Sequence, residues 1–317
     1  NAMVAHTGDV NSGYWNPTGL LKIKDGEASL MHANYFANIA KYDYAAYAKK
    51  IDDRSAWGVS IIRFGVDDIL NTTELIDATG NINYNRISLF STADYGVTFS
   101  YARKLPLQYI QYGVNAKVIR RIIGDFASSW GFGFDLGLQY EKNDWQIGIM
   151  VRDITTTYNI WNINETEFNK IKNAQTINPL QNQDLPESSE ITLPKAQLGV
   201  AKKYNFHNDM SLLASANLNM QFQQTNDIIS SRFVSIDPAL GFECGYNNLA
   251  FLRAGFGNFQ KIQQIDGSKK VGFQPNIGLG FQYKGIAIDY ALTDLGKQSA
   301  ALYSNVFSLK VDLSIFR

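Results

Sequence analysis

The sequence predicts an all-β fold, a 14-stranded antiparallel transmembrane β-barrel with an N-terminal plug segment. Three observations lead there. Apolar and polar residues alternate with period two from about residue 27 onward, as in strands with one oily and one wet face. The alternating runs are about 10–14 residues long, whereas strands of soluble domains centre near 5–6 and a tilted membrane-crossing strand needs roughly 9–11. The connections also sort by length, with tight turns after even-numbered strands and longer segments after most odd-numbered ones, the arrangement of outer-membrane barrels.

Composition narrows the function classes. The 317 residues carry 29 basic and 29 acidic side chains, so no net positive charge is available to displace counterions from a nucleic acid. Uninterrupted apolar runs are only a few residues long, which excludes a membrane-spanning helix but not spanning strands. Cys244 is the single cysteine, so no disulfide framework or cysteine zinc site exists, and His6, His32 and His207 are too scattered for metal-ligand spacing. No charged and then apolar leader opens the sequence, as expected of a mature chain or of one lacking its first residues.

In chain order, residues 1–26 do not alternate and are assigned to the plug, with 27–317 as the barrel. The plug holds one compact motif, Tyr14, Trp15, Asn16, Pro17, Thr18, Gly19 and Leu20, in which Asn-Pro and the following Gly force a turn and Trp15 and Leu20 anchor it. The expected strands lie near 27–36, 40–49, 56–66, 93–103, 109–122, 131–141, 144–153, 196–205, 210–223, 234–247, 248–261, 271–284, 285–294 and 303–316. In 285–294, for example, Ile286, Ile288, Tyr290 and Leu292 share the lipid face, while Ala287, Asp289 and Ala291 share the other. Tyr140, Trp145, Tyr246, Tyr283 and Tyr303 near strand ends suit interfacial girdles. Gly131, Gly133 and Gly137 on one strand face are expected to make room for the plug. The long outward segments 67–92 and 154–195 are the candidate partner-contact loops, with a mouth lid as the alternative, and a helix is possible at Asn164–Lys172.

The motif GYWNPTGL (Gly13–Leu20), followed at once by an alternating run to the C-terminus, resembles the FadL-like outer-membrane barrels and, within them, the PorV/PorQ-type proteins of Bacteroidota. The resemblance implies a plug carrying the Asn-Pro motif, a fourteen-stranded barrel and the bacterial outer membrane. It implies two roles. The leading expectation is a non-catalytic accessory subunit of an outer-membrane protein-export or protein-assembly machine, as in type IX secretion. Its partners are then the lipid bilayer and other outer-membrane proteins or lipoproteins. The alternative is a FadL-like channel for hydrophobic small molecules, for which Pro275 marks a candidate inward bend because proline cannot complete the ladder.

No catalytic residues, metal site or cofactor are expected. Gly131-Phe132-Gly133-Phe134-Asp135-Leu136-Gly137 has its third glycine one place late for a dinucleotide fingerprint and lies on a strand. The pairs Asp52-Asp53 and Asp67-Asp68 read as solvated turn formers before calcium ligands. Phase places Lys117, Arg121, Lys284, Asp289, Lys310 and Asp312 in the lumen. Their mixed signs point to internal ion pairing around a plug, since a selective pore favours rings of one sign. Cys244, in phase with Phe242 and Tyr246, is expected to face lipid.

Overall fold

The computed structural model describes residues 2–36, 38–76, 79–174, 188–206, 209–264, 267–293 and 304–316. After a short helix α1 (Ser12–Trp15) and a 3-10 turn (Pro17–Lys22), the strands follow in order. They are β1 (Gly26–Tyr35), β2 (Ala40–Asp52), β3 (Ser55–Asn71), β4 (Ser88–Lys104), β5 (Ile110–Ile123), β6 (Ala127–Lys142), β7 (Trp145–Arg152) and β8 (Thr157–Ile163). A helix α2 (Glu165–Ala174) precedes β9 (Ser189–Thr192), β10 (Lys195–Asn205), β11 (Met210–Gln221) and β12 (Ile229–Ser230). Then come β13 (Ser235–Tyr246), β14 (Ala250–Gln263), β15 (Lys269–Tyr283), β16 (Ile286–Thr293) and β17 (Ser304–Asp312).

All pairings are antiparallel, and β1 pairs with β17 from Glu27–Asp312 to Asn34–Asn305, so the sheet closes. β8 and β9 prolong β7 and β10, and β12 is a two-residue appendage, which leaves a closed wall of fourteen strands. Closure removes every unpaired edge, as hydrocarbon demands. The tight turns are set by local chemistry. Asn143-Asp144 and Lys284-Gly285 supply the consecutive positive φ angles (50° and 64°, 45° and 81°) of a two-residue hairpin turn.

Strand positions agree with the alternation to within a few residues, with three differences. β3 and β4 run longer, which shortens the expected 67–92 loop to 72–87. β8 and β9 extend the wall into the expected 154–195 loop, leaving 164–188 between them, with α2 where the helix was allowed. The last strand ends at Asp312 rather than 316, because Ser314 N and Oγ donate back to Asp312 Oδ1 (3.0 and 2.6 Å) and turn the chain into a 3-10 coil, Leu313–Phe316. Tyr303, His207 and residues 175–187, with Pro179 and Pro186, lie outside the described residues.

Outside, the wall is mostly apolar. Phe132, Phe134, Leu279, Phe281 and Ile288 are each more than half exposed to what is the lipid phase, and Cys244 is exposed beside Phe242 and Tyr246. Trp57, Trp145, Tyr246 and Tyr283 ring the tight-turn end. Strands β1–β3 break the pattern. There the apolar alternation of β2 points inward, with Tyr42, Tyr44, Ala46 and Ala48 toward the lumen. Asp43 faces out, where it takes His32 Nδ1 at 2.6 Å and lies 3.7 Å from Arg63. Arg63 also reaches Asp67 at 2.8 Å, and Lys41 reaches Asp67 at 3.2 Å. Period two alone fixes which residues share a face, not which face looks outward. A bare Arg at the bilayer midplane costs about 2–4 kcal/mol, so this reversal is a costly exception.

Candidate functional site

The lumen is the site, and the N-terminal segment lies in it. Asn16 takes extended angles (φ −162°, ψ 110°), as a residue before proline must, and Pro17 opens the 3-10 turn at a position where its missing N–H costs nothing. The fully buried Asn16 side chain ties the segment together and to the wall. Its Oδ1 accepts from Thr18 Oγ1 at 2.6 Å, while Nδ2 donates to Val4 O (3.1 Å), Leu138 O (3.2 Å) and Ile149 O (3.3 Å). Gly19 is held so close that a Cβ would stand 2.5 Å from Ser12 Oγ. Leu20 is buried with Val10, Leu21 and Ile23 against Ala46, Ala48, Ala56 and Ala102, whereas Trp15 is only half-buried and packs edge-on to Tyr14.

The wall makes room with glycines. A Cβ at Gly113 would meet Thr18 N at 2.7 Å, one at Gly148 would meet Val4 C at 2.6 Å, and one at Gly199 would meet Ala5 N at 3.0 Å. Gly137 faces Asn16 as expected. Gly131 and Gly133 do not face the segment. They accommodate Asn159 and Thr157 of the neighbouring strand, because the wall is broken beside them.

That break lies between β7 and β8. The β6–β7 and β7–β10 ladders run only as far as Val151 and Arg152, and pairing resumes at Tyr158 with β6 and Thr157 with β9, with Ile154 N donating to Phe134 O (2.9 Å) across the β6 side of the interval. Asp153 and Thr156 take left-handed angles (φ 54° and 60°), and Leu193-Pro194 interrupts the adjacent strand at the same level. A buried polar cluster holds the detour. Lys117 Nζ lies 2.6 Å from both Asp135 and Asp153, Asp153 N donates to Asp135 Oδ1 (2.9 Å), and Thr157 Oγ1 donates to Asp153 (2.5 Å). Asn115 joins this cluster to the segment by donating to Asp135 (3.1 Å) and Gly13 O (2.9 Å). Arg152 Nη2 donates to Tyr14 O at 2.6 Å, and its guanidinium lies 5.1 Å from the Tyr14 ring centroid.

Tyr14 touches the opposite wall as well. Its ring meets Tyr44 edge-on at 6.4 Å, within an apolar shelf of Met31, Tyr35, Tyr42, Ile62 and Phe64 on the lumen side of β1–β3. Phe64 remains 37% exposed, so the shelf is open to the lumen rather than sealed. Alternation holds its residues in view, but nothing local in sequence marks β2 as reversed.

The expected lumen charges divide. Lys117 sits in the cluster above. Arg121 pairs with Asp94 (3.1 Å) and Glu190 (2.9 Å), Asp289 pairs with Arg253, which also takes Glu243 at 2.5 Å, and Lys310 reaches Asp9 of the segment at 2.9 Å. Lys284 is not in the lumen: it is exposed in the β15–β16 turn over Tyr283, past the end of strand phase. Asp312 ends β17 in phase with Lys310 and opposite Glu27, and its carboxylate caps the C-terminal turn. Asp52 accepts from Arg54 N in the β2–β3 turn, and Asp67 is occupied by Lys41 and Arg63. The expected bend at Pro275 is also absent. β15 pairs with β14 straight through Pro275–Phe256, and the irregularity lies across the ladder between Gly257 and Gln260.

His6 responds to acid. Burial, then the charges of Lys22 and Arg253, hold its pKa down at about 4 against the opposing pull of Asp9, and Nδ1 has no partner among the described residues. A base with a depressed folded pKa leaves stability untouched above about 6.5 and withdraws it as pH falls from there toward 4. Protease cleavage within residues 2–23 should therefore accelerate between pH 6.5 and 4, and His6→Leu should flatten that response. Identical acid profiles in the two proteins would rule the effect out.

No family model and no curated protein matches the sequence. Solved structures do. A Pseudomonas aeruginosa FadL homologue aligns with TM-score 0.54 at 13% identity, over 98% of this chain and 96% of that one. The Pseudomonas putida toluene transporter TodX aligns with TM-score 0.57 at 11% identity, over 97% and 93%. The Ralstonia pickettii toluene transporter TbuX gives 0.55 at 12%, over 96% and 94%. At such identities the likeness is one of fold: this chain is a closed fourteen-stranded barrel with the fold of FadL-like bacterial outer-membrane proteins.

Proposed function

We propose that the protein is an outer-membrane channel for hydrophobic small molecules, with the N-terminal segment as its plug. The observation that carries this reading is the aromatic shelf of Tyr35, Tyr42, Tyr44 and Phe64 inside an otherwise polar lumen, joined through Tyr14 to the broken wall at Asp153. Aromatic side chains bind small aromatic solutes by burial and ring packing, and such a shelf is wasted in a water channel. A solute descending from the long-loop mouth meets the shelf, then Tyr14, then the interrupted ladder between β7 and β10. There a lateral way into the membrane needs fewer hydrogen bonds broken than elsewhere in the wall.

The names of the fold neighbours, toluene transporters among them, favour this reading. The accessory role in protein export, expected first from the PorV/PorQ-type motif, has no comparable support. The test uses cells, because phospholipid vesicles leak such solutes whereas lipopolysaccharide resists them. Cells making the protein should take up labelled toluene faster than cells without it. Tyr42→Asp with Phe64→Asp should remove most of the gain while the barrel keeps its heat-modifiable mobility on gels. Equal uptake with and without the protein, for toluene and for a longer alkane, would reject the channel.

A further inference from the structure

We propose that the reversed outer face of β1–β3 is a self-association surface, occupied in the membrane by the same face of a second copy of this chain. This goes beyond transport, and a monomeric channel would leave the transport reading standing.

The depth of the charges comes first. A tilted strand climbs roughly 2.5 Å per residue, so Arg63, six residues beyond the girdle residue Trp57, stands roughly 15 Å into an apolar belt roughly 25 Å tall. On β6 the belt continues ten residues, from Tyr140 to Trp130, with Phe132, Phe134, Leu136 and Leu138 between them. His32, Asp43 and Arg63 thus interrupt the lipid face at a level where other strands show Phe and Leu. Lys41 and Asp67 lie higher, where headgroups begin.

The composition of the patch favours a copy of itself over a lipid headgroup. Lys41 and Arg63 are balanced by Asp43 and Asp67, and the four are already linked, so no excess positive charge remains for a phosphate. His32, Asp43 and Arg63 form the upper part of an open groove of about 620 Å³ whose remainder is apolar, with Leu30, Ala45 and Ile61 among its lining.

Register supplies the complementarity. On the outer face, β1 and β2 pair Ala28 with Tyr47, Leu30 with Ala45, and His32 with Asp43. Each pair joins a small residue to a large one or a base to an acid. A two-fold axis along the membrane normal, passing between these strands at Leu30 and Ala45, sets each exposed Leu30 over the other copy's Ala45. It also brings each Asp43 opposite the other's His32. An isologous contact requires this reciprocity, and a copy presents its polar tier at the same depth automatically.

The full chain, reconstituted in phosphatidylethanolamine–phosphatidylglycerol nanodiscs or extracted in dodecyl maltoside, should have the mass of two chains by native mass spectrometry. Ala45→Trp, which fills the groove from a lipid-facing position, should give single chains that remain heat-modifiable and hence folded. In a Cys244→Ser background, Leu30→Cys should form a disulfide-linked dimer on mild oxidation, while Ile147→Cys on the far wall should not. A single chain in both media, bare or carrying lipid, overturns the proposal. So does cross-linking that is equal at the two positions.

Discussion

Replacing Gly148 by leucine should expel the N-terminal segment from the lumen and open the barrel. The backbone of the segment crosses this glycine so closely that a Cβ would stand 2.6 Å from Val4 C and 2.7 Å from Ala5 Cα. These are main-chain atoms, so no rotamer change relieves the clash. The segment gives way before the wall does, because Gly148 is paired on both sides, to Gln139 of β6 and Gly199 of β10. Displacement releases Val4 O from Asn16 and Gln139, and the Asn16 contact with Ile149 O goes with it. A fourteen-stranded wall encloses more space than its own side chains fill, so planar-bilayer conductance should rise by roughly tenfold or more. Gly96→Leu is the matched control, since a Cβ there meets nothing within 4 Å. Unchanged conductance in Gly148→Leu, with residues 2–23 still resistant to protease, would show that the segment is not what closes the lumen.

The contrast between Gly148 and the glycines expected to frame the plug shows how much was legible. Alternation located the fourteen wall strands, their register ends and the tight turns, because these depend on neighbours in sequence and on a period the chain itself carries. Asn16-Pro17 was legible for the same reason, as its turn is local chemistry. Gly131, Gly133 and Gly137 looked equivalent on one face of β6, yet only Gly137 meets the segment. What faces a glycine across the lumen is decided more than a hundred residues away. The reversal of β2 was hidden too, since Tyr42 and Tyr44 satisfy the same pattern whether they face lipid or lumen. The break after Arg152 read as an ordinary strand end, because the lysine that holds Asp153 in a left-handed conformation comes from β5.

That lysine is the second place where one substitution should have a large effect. Lys117 is the sole cation within 4.0 Å of Asp135 and Asp153 among the described residues, and the Asp135 side chain is 1% exposed. Lys117→Met keeps the length of the stem and removes the charge, leaving two carboxylates served by the neutral donors Asp153 N, Asn115 Nδ2 and Thr157 Oγ1. Breaking a buried ion pair by removing one partner costs about 3–5 kcal/mol, far more than an exposed pair is worth, because the remaining charge stays desolvated. The variant should therefore unfold at markedly lower urea concentration in detergent, read from the heat-modifiable gel band. The triple change Lys117→Met, Asp135→Asn, Asp153→Asn removes charge from both sides and should recover most of the loss, which a merely steric role for the lysine stem would not produce. The same pair of proteins separates wall stability from transport. If the detour at Asp153 is the lateral way out, the triple variant should fold well yet take up toluene poorly, because the ion pairs that set the detour, and that tie it through Asn115 to Gly13, are gone. Uptake that tracks stability through both variants would instead make the cluster a structural clamp and move the exit elsewhere in the wall.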